Sequence, residues 1–158
     1  MEETILVVED GDDDFTFLER MFKKSKVLNP VQRVESIRDA FCYLKGEGAY
    51  EDRGRYPFPV LMLLDAKLPD GSGFEALRWL RQHPEVAPPA VVLLTGSDIA
   101  AIGRMYAEGA SSFLTKPLKF EEFENMCKAV RGIRLRKTNA GHVLDAEVSK
   151  GRGAKIVG

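Results

Sequence analysis

Val60-Leu61-Met62-Leu63-Leu64-Asp65 sets five consecutive apolar residues against a terminal acid, and its reading decides the fold. No polar residue alternates within the run, so both faces of the strand it predicts must be covered. That is the situation of a parallel sheet with helices on either side. Three other runs share the pattern. Thr4-Ile5-Leu6-Val7-Val8 leads into Glu9-Asp10, Ala90-Val91-Val92-Leu93-Leu94 into Thr95, and Ser112-Phe113-Leu114-Thr115 into Lys116-Pro117. In open parallel sheets, ligands bind outside the carboxyl ends of the strands. If all four runs are parallel neighbours, the carboxylates of Glu9, Asp10 and Asp65 meet the Thr95 hydroxyl and the Lys116 ammonium in one cleft. That set can hold a divalent cation and a phosphoryl group together.

Between the runs the apolar period changes to that of helices. Asp12 to Lys24 places Phe15, Leu18 and Phe22 on one face, with Phe17 and Met21 beside it and three Asp residues in its first turn. A weaker strand, Val31 to Val34, precedes a helix over about Ile37 to Leu44, and Gly46 to Pro59 reads as a loop. Past Asp65, the turn Leu68-Pro69-Asp70-Gly71 reaches Ser72, which with Glu75 forms a capping box for a helix closed by His83-Pro84. Asp98 caps a further helix through Tyr106, ended at Gly109, and the last helix starts near Phe120. Strand and helix alternate five times, which predicts an α/β, doubly wound parallel sheet with helices on both faces. Residues 133–158 lose the pattern; being rich in Gly and in Arg and Lys, they read as a flexible basic tail after a domain of residues 1–132.

Bulk properties narrow the function. The 158 residues are 44% hydrophobic and 30% charged with net charge −1, ordinary for a globular domain and without bias towards nucleic acid. No apolar stretch approaches a membrane span, and Met-Glu-Glu does not open a secretory signal, so a cytoplasmic location is expected. Cys42 and Cys127 read as small buried thiols rather than a disulfide or a metal site.

The acidic cluster carries the chemistry. Carboxylates held close repel unless a proton or a cation intervenes, and Mg²⁺ suits oxygen ligands while keeping several waters. A carboxylate beside that ion can attack phosphorus. Lys116 would meet the phosphoryl oxygens as a point charge, Thr95 could donate its hydroxyl, and Gly96 leaves room for the incoming group. A calcium loop starting at Asp10 fails, because Phe15 and Met21 stand where Gly and Glu are required. No glycine-rich nucleotide loop is present.

Together these motifs give the chain a resemblance, over Thr4 to Gly132, to the receiver domains of two-component response regulators. The residues that carry it are Glu9-Asp10, Asp65 with Leu68-Pro69 and Gly73 following, Thr95, and Lys116-Pro117 after Gly109-Ala110. The Glu-Asp opening, the long Gly46 to Pro59 loop and the short basic tail resemble the stand-alone regulators paired with phytochrome-type kinases. The resemblance implies a five-stranded sheet of order 2-1-3-4-5 and phosphotransfer from a histidine kinase to Asp65. It implies that Asp10, Asp65 and the Lys67 carbonyl ligate Mg²⁺, with Glu9 acting mainly through water. It also implies that Thr95 and Lys116 bind the phosphoryl group, that Phe113 is the switch aromatic, and that Lys116-Pro117 is cis and aims the ammonium into the cleft.

The sequence therefore predicts a phosphoacceptor signalling protein, not a turnover enzyme, with output by protein contact. Residues 133–158 show no helix-turn-helix periodicity for DNA binding. The alternative, a Mg²⁺-dependent phosphohydrolase using an aspartyl phosphate, needs a general acid near Asp65, and Lys67 stands where a second Asp is common. Lys67 and Ser97 are expected to shield the phosphoryl group from water. A homodimer is expected through residues 98–108, 112–115 and 120–131, where Tyr106 and mixed charges suit a two-fold contact.

Overall fold

A computed structural model of the chain describes residues 3–96 and 110–147. The five expected strands form one sheet: β1 (Thr4–Val8), β2 (Val31–Val34), β3 (Pro59–Asp65), β6 (Ala90–Thr95) and β7 (Ser112–Thr115). Two-residue strands β4 (Lys67–Leu68) and β5 (Gly71–Ser72) make a small antiparallel ladder of their own. The sheet order is β2-β1-β3-β6-β7, which is 2-1-3-4-5 counted over its own strands, and every pairing is parallel.

The unbroken apolar runs are explained by what covers each face. Odd-numbered side chains Ile5, Val7, Leu61 and Leu63 pack with Leu18 and Phe22 of α1 (Asp12–Lys24) and with Phe123, Met126 and Cys127 of α4 (Phe120–Ala129). Even-numbered Leu6, Val8, Met62 and Leu64 pack with Ile37, Ala40 and Leu44 of α2 (Ile37–Lys45) and with Phe74, Leu77 and Leu80 of α3 (Gly73–Gln82). A strand alternates its side chains between faces, so two cores demand apolar residues at every position. Each fully buried Leu or Val contributes about 1.5–3 kcal/mol relative to exposure.

The helix ends follow their local chemistry. Ser36 accepts from the Asp39 N–H at the start of α2, and Ser72 and Glu75 form the reciprocal box that starts α3. Gly46 closes α2 with φ +67°, and a side chain there would collide with Arg53, whose guanidinium donates to the Tyr43, Leu44 and Tyr56 carbonyls. Arg53 thus staples the 46–58 loop to α2, and Gln32 of edge strand β2 donates to the Arg55 carbonyl of that loop. Cys127 is buried and Cys42 half-buried, and both are free thiols. Phe17 is the exception on α1: it is 51% exposed. The helix expected over 98–106 lies outside the described residues.

The flexible tail expected from residue 133 is corrected by the fold. Residues 133–146 form an antiparallel hairpin, β8 (Ile133–Lys137) and β9 (His142–Ala146). Ile133, Val143 and Leu144 are buried while Arg134 and Arg136 face outward, so β8 has a strand's alternation with these two arginines on its wet face and Lys137 exposed at its end. Two of the glycines that suggested disorder, Gly132 and Gly141, sit at positive φ where the chain turns.

The hairpin closes under the amino ends of the strands. Buried Asn29 fastens it: its Nδ2 donates to the carbonyls of Glu3 and Leu144, and its Oδ1 accepts from the Leu144 N–H. Removing that amide leaves three buried or half-buried backbone groups unpaired. Asn29→Ala is therefore expected to cost about 2–3 kcal/mol in urea unfolding, whereas the outward Arg134→Ala should stay within about 0.5 kcal/mol.

Candidate functional site

Because the strands are parallel, β1, β3, β6 and β7 all deliver their last residues to one edge. The Glu9 N–H bonds to the Val34 carbonyl and the Lys116 N–H to the Thr95 carbonyl, so the ladder continues one step past each strand and fixes the backbone of both residues. Glu9, Asp65 and Thr95 are buried at this edge, and Asp10 is exposed beside them. One carboxylate oxygen from each of Glu9, Asp10 and Asp65 lies within 4.8 Å of the others.

Lys116 holds this set together. Its Nζ donates to Glu9 Oε1 at 2.6 Å, Asp65 Oδ2 at 2.7 Å and Asp14 Oδ2 at 3.0 Å. The Lys116-Pro117 bond is cis, as expected. Asp65 Oδ1 accepts from the Lys67 N–H at 3.0 Å, and Glu9 Oε2 from the Gly11 N–H at 3.1 Å. Gly73, eight residues past Asp65, is required by space, since a side chain there would sit 2.7 Å from the Asp65 carbonyl oxygen.

Burial pushes the Glu9 carboxyl from 4.5 up to about 7, and its hydrogen bond with Asp65 adds to this, against the opposing pull of Lys116 and the Gly11 N–H. Burial alone would lower Lys116, but its bonds to Asp65, Glu9 and Asp14 outweigh that and raise it. One ammonium therefore balances a crowd of acids, and the carboxylate oxygens are hard donors of the kind Mg²⁺ prefers.

Two neighbours were not singled out from sequence. Asp14 looked only like a helix-start acid; it lies in the first turn of α1 and reaches the same cleft through its bond with Lys116. Arg33, at the end of β2, donates from Nε to the Glu9 carbonyl at 2.9 Å, pairs with Asp12 at 2.9 Å and lies over the Phe15 ring. No sequence spacing announces it, because only the β2–β1 pairing brings it there. Phe113 is half-buried against the α2 and α3 side of the sheet. Ser97 lies outside the described residues.

A family model described as the response regulator receiver domain matches residues 5–128. The chain belongs to this family. It is 31% identical over 128 residues to a protein named "Probable methanogenesis regulatory protein FilR2" of Methanothrix harundinacea, covering 80% of each chain. It is 30% identical to response regulator Rcp1 of Synechocystis, covering 82% of this receiver and 84% of Rcp1. Among solved structures, the bacteriophytochrome response regulator RtBRR superposes with a TM-score of 0.76 at 27% identity, covering 99% of this chain and 91% of RtBRR. A Mn(2+)-bound form of Rcp1 gives 0.64 at 28% identity, covering 78% and 88%. The protein is thus a two-component signalling receiver, of a family phosphorylated on aspartate whose members generally serve signalling rather than turnover.

The raised Glu9 has a measurable consequence. Between pH about 4.5 and 7 the folded receiver keeps a proton that the unfolded chain releases, so this group makes stability fall as pH rises through that window. Relative to Glu9→Gln, the wild type is expected to lose thermal stability across it, and excess Mg²⁺ should oppose the loss by favouring the ionised carboxyl. Identical pH profiles for the two proteins without metal would contradict the burial argument.

Proposed function

We propose that Asp65 is the phosphoacceptor and that a sensor histidine kinase is the donor. The observation supporting this best is Lys116 Nζ held 2.7 Å from Asp65 Oδ2 at the edge where the acidic cluster gathers. An Asp65 oxygen attacks the phosphorus of a phosphohistidine. The O–P bond forms as the P–N bond breaks, and its electron pair returns to the departing imidazole. Lys116 then meets the phosphoryl oxygens, and the Thr95 hydroxyl donates to another of them.

Asp10, Asp65 and the Lys67 carbonyl would hold Mg²⁺, with Glu9 reaching it mainly through water. When bound, the ion neutralises charge on the reacting oxygens. The Mn(2+)-bound Rcp1 relative supports a divalent cation in this role. Thr95 moving inward and Phe113 changing rotamer would carry the signal to the surface.

The likeness to bacteriophytochrome response regulators supports a phytochrome-type kinase as partner, and a stand-alone cytoplasmic regulator with output by protein contact completes this reading. No described helix is long and apolar enough to cross a membrane. In this reading the partner's foothold is the groove along α1 lined by exposed Phe17 with Arg20, Met21, Lys24, Leu118 and Phe120, which shares Phe17 and Leu118 with the pocket that Glu9 and Lys116 line. A homodimer through residues 98–108, 112–115 and 120–131 remains part of this reading, although 98–108 lie outside the described residues.

With Mg²⁺ and acetyl phosphate, mass spectrometry should find one acid-stable, base-labile phosphoryl group, absent in Asp65→Asn. Asp10→Ala should lose most Mg²⁺ binding, while Lys116→Ala spares binding and slows labelling. Undiminished labelling of Asp65→Asn would sink the assignment. Phe17→Ala should slow transfer from the kinase and leave labelling by acetyl phosphate unchanged. Sedimentation with and without phosphodonor tests the dimer; a monomer in both states removes it.

A further inference from the structure

The turn that follows the phosphoacceptor is fixed at both of its ends, and only the nearer fixation belongs to the acidic cleft. At its base, the Ala66 N–H bonds to the Leu94 carbonyl at 2.9 Å, the Gly73 N–H returns to the Ala66 carbonyl at 2.9 Å, and the Lys67 N–H reaches Asp65 Oδ1. Its body is the β4–β5 ladder of two residues a side, too short to hold a shape alone. Its tip is Asp70, whose two carboxylate oxygens accept from the first helical N–H groups of α2: Oδ1 from Ile37 at 2.9 Å and Oδ2 from Arg38 at 3.0 Å.

Gly71 presses the same tip home. Its φ is +152°, and a side chain there would lie 3.1 Å from both Ile37 Cδ1 and Glu75 Oε2. Ser36 accepts from the Asp39 N–H at 3.1 Å, so Asp70 takes the two N–H groups that the helix's own cap leaves open. A carboxylate at a helix start is favourable in itself, but here it spans 33 positions of sequence and ties the turn after β3 to the helix that follows β2.

We propose that Asp70 is a positioning residue, which anchors the 66–72 turn on α2 and so holds the Lys67 backbone in register with the carboxylates of the cleft. The role rests on the reading above, in which the Lys67 carbonyl and the Asp10 and Asp65 carboxylates take Mg²⁺. Asp70 touches neither the ion nor the phosphoryl group; it acts through the turn, as residues behind the ligands do in metal sites.

Isothermal titration with Mg²⁺, in salt high enough to screen distant charge, separates this role from plain stabilisation. Asp70→Ala is expected to weaken Mg²⁺ binding about tenfold, the lower end for residues that support ligands. Asp70→Asn keeps one acceptor and should fall between that variant and wild type, and it serves if the alanine variant does not fold. Ser36→Ala removes a cap from the same helix without touching the turn. It should lower the melting temperature and leave Mg²⁺ affinity unchanged. If both Asp70 variants melt earlier yet bind Mg²⁺ as wild type does, the contact is only a helix cap and the proposal falls. Asp10→Ala is the separate control. Unchanged binding there would overturn the metal site itself, and with it this role, whereas loss there with unchanged Asp70 variants overturns the positioning role alone.

Discussion

Parallel strands must all end on the same side of their sheet, and the function of this receiver depends on that constraint. It gathers Glu9, Asp10, Asp65, Thr95 and Lys116 from four separate stretches of chain with no long loop to position any of them. The cost is electrostatic, because acids packed at a partly dry edge repel. Lys116, bonded to Glu9, Asp65 and Asp14 at once, is the counterweight among the described residues. In the proposed function the same ammonium is the group that would meet the phosphoryl oxygens, so one side chain serves both the resting charge balance and the reaction.

Much of this could be read from the residues. The five strands of the main sheet, the starts of α1 to α4 and the Ser72–Glu75 box were legible because they rest on local signals: uninterrupted apolar runs, 3.6-residue periodicity and side chains that bond their own backbone. The cluster was legible for a different reason. Once the strands are parallel, their terminal residues have nowhere else to go. Arg33 and Asp70 were not legible as partners of the site, since each acts across 24 or 33 positions and depends on which strands are neighbours. Sequence alone shows only an arginine in a weak strand and an acid in a turn.

The hairpin of residues 133–146 failed for a third reason. Its apolar residues, Ile133, Leu135, Val143 and Leu144, are few, and they are insufficient to justify a folded segment unless a surface is waiting for them. That surface is the underside of the sheet with α4, and Asn29 supplies the polar fastening. A short segment whose core is provided by the rest of the protein has the composition of a tail. Glycine reinforced the error, because it serves turns and disorder equally well.

The hairpin also decides how the first and last described stretches lie relative to the cleft. The Ala146 N–H bonds to the Glu3 side chain and the Leu144 carbonyl to Asn29 next to the Glu3 carbonyl, so the first and last described stretches lie side by side. They meet at the amino ends of the strands, a full strand length of roughly 20 Å from the cleft. Glu3 and Ala146 therefore sit at the pole opposite Asp65, and the hairpin leaves the approach to the acidic edge clear.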